Sequence, residues 1–286
     1  MGRSVCPGRL MKRDMLPEKL YGIIGYPLGH SLSPTLHNWA FDQTGVAAVY
    51  MAWPLPPERL ESFVRAVRVL PVSGVSVTIP HKQKVMQFVD RVSDLAGRVG
   101  AVNTLCLRKD GLFGDNTDVY GFMGPLKELS RIPESAFVLG AGGAARAVVI
   151  GLMELGVQEI FIANRTHERA RDLAEEFGLN TVSWPERYKC SAELLVNATP
   201  LGMAGKSQEK SPLPGACFSP NQTVYDLVYN PLRTRFLRDA EHCGCRTIDG
   251  LSMFIHQAAA QFRLWTGREF SFDGAMSLLA SLLYGQ

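Results

Sequence analysis

Four groups of residues in this chain have types and spacings that suit chemistry on small anionic ligands. The run Gly140-Ala141-Gly142-Gly143-Ala144-Ala145 follows an apolar stretch, Ala136 to Leu139, and leads into Ala144 to Leu155, rich in Ala, Val, Ile and Leu. Strand, glycine turn and helix in that order make a phosphate cradle. Gly140 permits the turn, Gly142 lets a pyrophosphate approach the backbone, and Ala145 lets helix and strand pack closely. The helix start then offers free N–H groups to the anion. Past the next apolar strand, Glu159 to Ala163, a chain that takes NAD usually places an acid on the adenosine ribose. Here the residues are Asn164-Arg165-Thr166, with Arg169 one turn on. Two cations and a hydroxyl bind a phosphate that an acid would repel, so the pattern points to NADP. Taken singly, Arg165 and Arg169 also read as ordinary surface charges at a helix start.

The other two groups lie in the first 120 residues. Ser31 and Ser33 flank one residue just before Pro34, at the start of a helix expected to run to about Thr44. Ser33 reads as its N-cap, and the pair also makes a small anion-binding cup. Lys82 stands just beyond a strand expected over Gly74 to Pro80, where α/β proteins bind ligands, although a lone lysine there is also an ordinary surface residue. Asn103 interrupts an expected strand, Gly100 to Cys106. Asp118 precedes a helix over Val119 to Leu129 and by spacing alone reads as its N-cap.

The elements that must position these groups alternate strand and helix. Tyr21–Gly25 and Ala48–Trp53 read as strands, Pro57 to Leu70 as a helix, and Gly111 to Gly114 as a turn. After the glycine turn come strands at Leu194 onward and Thr223–Tyr229, a helix over Arg233 to Cys243, and two amphipathic tail helices, Ser252–Thr266 and Asp273–Tyr284. This is an α/β pattern in two domains: an N-terminal α/β domain, and a doubly wound, Rossmann-like nucleotide domain. The tail helices return to the first domain. The expected boundaries are 1–20 for an extension, 21–119 plus 252–286 for the first domain, and 120–251 for the nucleotide domain.

Composition agrees. The 286 residues are 46% hydrophobic and 20% charged, with a net charge of +3 and no long basic run. That gives no support for nucleic-acid binding, and no apolar run reaches the length of a membrane span. The six cysteines and six histidines form no zinc or redox spacing, so reduced cytoplasmic thiols and no metal are expected. The first twenty residues are mildly basic and lack the apolar core of a secretory signal. Met11 or Met15 is an alternative start.

With these segments placed, the chain resembles the shikimate dehydrogenases from about Tyr21 to near the C-terminus. The stretches that carry the resemblance are Gly25-Tyr26-Pro27 with His30-Ser31-Leu32-Ser33-Pro34 and His37-Asn38, Val77-Thr78-Ile79-Pro80-His81-Lys82, Gly100-Ala101-Val102-Asn103-Thr104, and Gly114-Asp115-Asn116-Thr117-Asp118. The glycine turn, Asn164-Arg165-Thr166, Asn197-Ala198-Thr199-Pro200, and Gly250 with Gln257 follow in the family's order. The resemblance implies reversible reduction of 3-dehydroshikimate to shikimate by NADPH. It assigns Lys82 and Asp118 as the catalytic pair. Ser31, Ser33 and Tyr229 would receive the substrate carboxylate, and Thr78, Asn103 and Gln257 its ring hydroxyls. NADP would lie on Gly140, Ala141, Gly142, Gly143, Ala144, Asn164, Arg165, Thr166, Arg169, Thr199 and Gly250. In that role Lys82, a cation at neutral pH, stabilises a developing alkoxide and protonates it, with Asp118 orienting it. The nicotinamide would reach across an interdomain cleft whose closure excludes water. No other partner follows, and a homodimer is left open. Quinate dehydrogenases, whose substrate bears an extra hydroxyl, are the nearest rival. A non-catalytic metabolite sensor is the rival of another class, and it would not need the lysine–aspartate pair.

Overall fold

The computed structural model describes residues 16–29, 31–189 and 191–284. The extension up to residue 15, with Met11 and Met15, lies outside them, as does His30. Lys19 and Leu20, expected in the extension, instead open the first strand.

The first half runs β1 (Lys19–Gly25), α1 (Ser33–Thr44), β2 (Ala48–Pro54), α2 (Leu60–Val67), β3 (Val72–Val77), β4 (Arg91–Val92), α3 (Asp94–Val99), β5 (Thr104–Arg108) and β6 (Gly111–Asp115). Its six strands lie in the order β2-β1-β3-β5-β6-β4. β1 is parallel to β2 and β3, whereas β5 runs antiparallel to β3 and β6. β1 is apolar on both sides because both sides are covered. Ile24 packs with Val64, Val75 and Leu105 beneath α2, and Ile23 with Phe41 and Phe262 beneath α1 and the returning helix.

The second half runs α4 (Asp118–Lys127), β7 (Ser135–Leu139), α5 (Gly143–Glu154), β8 (Glu159–Ala163), α6 (His167–Phe177), β9 (Asn180–Thr181), β10 (Leu194–Asn197), β11 (Thr223–Asp226), α7 (Arg235–His242) and β12 (Arg246–Ile248). Its order is β12-β11-β10-β7-β8-β9, and every pair is parallel. Strand order reverses between β7 and β10, which opens a crevice at their carboxyl ends. The chain then forms α8 (Gly250–Thr266) and α9 (Phe272–Tyr284). α8 returns to the first sheet: the Trp265 indole donates to Leu105 O at 3.0 Å and the Gln261 amide to Asn103 O at 3.2 Å. The α/β class, the doubly wound second half and the returning helices are as expected from sequence.

Several local expectations are corrected. Residues 111–114 are strand rather than turn. The two-residue turn is Lys109-Asp110, and a Cβ on Gly114 would meet Val102 at 2.8 Å, so that glycine serves packing. The strand expected from Gly100 begins only at Thr104. Gly100 instead ends α3 in the left-handed conformation, φ 68°. α3 itself, capped by the Ser93 hydroxyl on Ala96 N–H, is only six residues long with an internal glycine and carries little periodicity. α2 stops at Val67, not Leu70.

Candidate active site

Lys82 and Asp118 meet at the carboxyl edge of the first sheet. Beyond β3, Thr78 N–H still donates to Ile24 O at 2.9 Å, and the chain then turns. Buried His81 anchors that turn: its Nε2 lies 2.7 Å from Leu55 O, a contact that requires the proton on Nε2. Lys82 O accepts Val102 N–H at 2.8 Å, fixing the lysine backbone. The Lys82 ammonium donates to Asp118 Oδ2 at 2.6 Å, and both side chains are largely shielded from solvent. Asp118 is not the N-cap of α4. Thr117 holds that position, and Asp118 opens the first turn with its carboxylate turned to Lys82 and Asn103. Asn103 Nδ2 donates to Asp118 Oδ1 at 2.8 Å and to Thr117 Oγ1 at 3.0 Å. Lys82 thus keeps N–H donors for a ligand while its counter-charge is fixed. Such a set can protonate or stabilise a developing oxyanion.

The other expected substrate residues sit on separate elements. Leu32, not Ser33, is the N-cap of α1, because Leu36 N–H already reaches Leu32 O. Ser31 Oγ accepts the freed Ser33 N–H at 3.3 Å, so the two serines do adjoin at the helix start. Tyr229 follows β11. Its ring lies 5.2 Å from that of Phe254 on α8, in an apolar cluster that also holds Leu32 and Leu36. Burial raises its phenol above the ordinary range. The β11 loop is thereby brought against the start of α1. Gln257 lies on α8 against α4, where a Cβ on Gly121 would meet it at 2.7 Å, and its amide N–H₂ donates to Phe254 O.

The glycine turn is shaped as a cradle. Gly140 has φ +119°, and a Cβ there would stand 2.9 Å from the Ala198 backbone and 3.1 Å from Thr199. Gly142 and Gly143 face open space, and no side chain caps α5. These free N–H groups fit a pyrophosphate. Asn164 bridges to Thr166 O at 2.9 Å, and the start of α6 is likewise uncapped. Arg165 and Arg169 are exposed. Among the described residues neither joins an ion pair, whereas Arg171 on the same helix pairs with Glu175. Two uncommitted guanidiniums beside open N–H groups fit a nucleotide phosphate. Gly250 starts α8 against the loop that follows β11: a Cβ would meet Leu227 O at 2.5 Å.

One group had no role in the sequence reading. Asn197 Oδ1 accepts both Thr199 N–H (3.0 Å) and Thr199 Oγ1–H (2.7 Å), while its Nδ2 donates to Asp226 Oδ1 at 2.9 Å. Asp226 also accepts Val228 N–H at 3.0 Å and the Thr234 hydroxyl at 2.6 Å. The fully buried Asp226 therefore ties together the loops bearing Thr199 and Tyr229. Burial pushes its carboxyl from 3.8 to about 7, against lowering by those three hydrogen bonds. A polar residue ending each of two apolar strands was the available signal.

The chain matches known proteins along most of its length. Three family models match: the shikimate dehydrogenase substrate binding domain over residues 23–105, shikimate / quinate 5-dehydrogenase over 127–198, and the shikimate 5'-dehydrogenase C-terminal domain over 250–277. The shikimate dehydrogenase (NADP(+)) of Oleidesulfovibrio alaskensis is 53% identical over 270 residues, 94% of this chain and 97% of its own length. Among solved structures, shikimate 5-dehydrogenase from Thermus thermophilus in complex with NADP(H) and shikimate superposes with a TM-score of 0.84 at 42% identity, covering 94% of this chain and 100% of that one. Quinate dehydrogenase from Corynebacterium glutamicum in complex with NAD gives a TM-score of 0.86 at 32% identity, covering 92% and 99%.

Asp226 makes a pH prediction. Below about pH 4 it holds its proton folded and unfolded alike. Between about 4 and 7 the unfolded chain ionises while the folded one keeps the proton, so stability falls as pH rises through that window. Asp226→Asn should flatten this decline, measured by urea unfolding at pH 4.5 and 7. An equal decline in both proteins would contradict it.

Proposed function

The chain belongs to the shikimate dehydrogenase family, and from that premise we propose that it interconverts 3-dehydroshikimate and shikimate with NADPH and NADP⁺, a step of aromatic amino acid biosynthesis. The observation that carries the reading is the Lys82–Asp118 pair, 2.6 Å apart and braced by Asn103 at a sheet's carboxyl edge. Residues 19–119 with 252–286 take the substrate, and 120–251 take the cofactor. Ser31, Ser33 and Tyr229 receive the carboxylate. Thr78, Asn103 and Gln257 hold the ring hydroxyls.

NADP would rest on the Gly140 to Ala144 turn, with Thr199 and Gly250 beside it and its adenosine phosphate on Asn164, Arg165, Thr166 and Arg169. When bound, NADPH supplies a hydride to the substrate carbonyl carbon. Lys82 neutralises the charge gathering on the carbonyl oxygen and passes a proton to it. Asp118 keeps Lys82 in line and accepts a hydrogen bond from the adjacent substrate hydroxyl. In the reverse direction Lys82, unprotonated, takes the hydroxyl proton back. A cytoplasmic site of action accompanies this reading. Cys106, Cys217, Cys243 and Cys245 are free thiols, in keeping with a reducing compartment. Among the described residues no helix is long and apolar enough to cross a membrane.

Rates with shikimate or quinate, each with NADP⁺ or NAD⁺, test the function. Turnover should be confined to shikimate with NADP⁺. Comparable turnover of quinate or with NAD⁺ would move the protein to the broader quinate/shikimate branch, and none at all would refute the assignment. Lys82→Ala should bind NADP⁺ normally yet turn over about 10²- to 10⁴-fold more slowly, the usual worth of a positioned acid–base group. Turnover near that of the parent removes Lys82 from the mechanism. Arg165→Ala should raise the Kd for NADP⁺ about tenfold or more while leaving NAD⁺ nearly unchanged; equal weakening of both would exclude a phosphate contact.

A further inference from the structure

The Lys82–Asp118 pair is the end of a longer chain of buried side chains. The Tyr50 hydroxyl donates to Ser76 Oγ at 2.6 Å, and Ser76 donates to Gln261 Oε1 at 2.9 Å. Gln261 Nε2 donates to Thr104 Oγ1 at 2.9 Å, and Thr104 to Asn103 Oδ1 at 2.7 Å. Asn103 then donates to Asp118. None of these six residues is more than 8% exposed. The chain of side chains begins at Tyr50 and ends at the lysine.

The direction of every link is determined. Gln261 Nε2 also faces Asn103 O, which can only accept, so the amide nitrogen must point that way and the amide oxygen must take Ser76. Thr104, having accepted from Gln261, has its proton free for Asn103. Asn103 Oδ1 accepts Thr117 N–H at 2.8 Å as well, so its nitrogen is left for the carboxylate. Gln261 thus grips the backbone of residue 103 and the side chain of 104 together. It lies four residues, one helical turn, past Gln257 on α8.

We propose that Gln261 is a positioning residue for the reaction: it sets Asn103, and through it Asp118 and Lys82, at a fixed height against the helix that carries Gln257. The inference rests on the dehydrogenase reading above. Gln261 is buried, and its amide is taken up by Ser76, Thr104 and Asn103 O. Its effect comes from holding Asn103, because small displacements of reacting groups cost large factors in rate.

The test uses the full chain with Gln261→Met, Thr104→Val and Ser76→Ala, of which the last two change little volume. For each, kcat, KM for shikimate and NADP⁺, the urea midpoint, and the isotope effect with shikimate deuterated at the carbon that yields hydride are measured. In Gln261→Met and Thr104→Val, kcat should fall about tenfold, and less in Ser76→Ala, which lies further from Asp118. KM for NADP⁺ should stay within about twofold, because all three pack in the first sheet and the helix returning to it, away from the glycine turn. The isotope effect should rise as hydride transfer slows relative to product release. A kcat within about twofold of the parent in both Gln261→Met and Thr104→Val overturns the proposal. So does a loss of kcat that follows the urea midpoint with an unchanged isotope effect. Absence of turnover in the parent enzyme strikes instead at the dehydrogenase reading and takes this proposal with it.

Discussion

An ammonium and a carboxylate removed from water must be satisfied by each other and by fixed donors, or the site does not hold. Much of the first half can be read as the answer to that constraint for Lys82 and Asp118. One carboxylate oxygen takes the lysine and the other takes Asn103. Asn103 can serve only if its own oxygen is occupied, which Thr117 N–H and Thr104 provide. Asn116 in turn reaches Ala101 O and accepts Asp118 N–H, closing the loop before α4. These contacts require the start of β5 and the end of β6 to lie side by side, and the antiparallel hairpin supplies that arrangement. The break from parallel order in the first sheet is therefore where the charged pair is built.

The second half meets a different demand. A pyrophosphate needs backbone N–H groups with nothing in front of them, so glycine and an uncapped helix replace side-chain partners. The all-parallel sheet brings β7, β8 and β10 to one edge, which is why Gly140, Asn164 and Thr199 gather although far apart in sequence. Asp226 shows what the gathering costs: a buried carboxyl with a raised pKa is retained where two loops must be held together.

The sequence made legible whatever is carried by local pattern: the strand–glycine–helix turn, the apolar runs of β7 and β8, the missing acid at Asn164, and the returning helices. Boundaries failed where a residue's usual meaning was overridden by tertiary packing. Gly114 reads as a turn former but lies in a strand under Val102. Ser33 reads as a cap, yet the helix begins one residue earlier. Asp118 reads as a cap by position, but its carboxylate is claimed by groups 36 and 15 residues away. Gln261 and Asp226 were invisible for the same reason, since their partners come from distant strands. The local hints were the i, i+4 spacing of Gln257 and Gln261 and the polar residues that end β10 and β11.

α4 and α8 lie unusually close. A Cβ on Gly121 would strike Met253 O at 2.8 Å, and one on Gly124 the His256 ring at 2.4 Å. These two helices also stand at the two places where the chain passes between the sheets. Clamping both crossings side by side removes most degrees of freedom from the pair of sheets. A single tether would allow them to swivel and slide. Two rods pressed together permit rocking about the line they share, and little else.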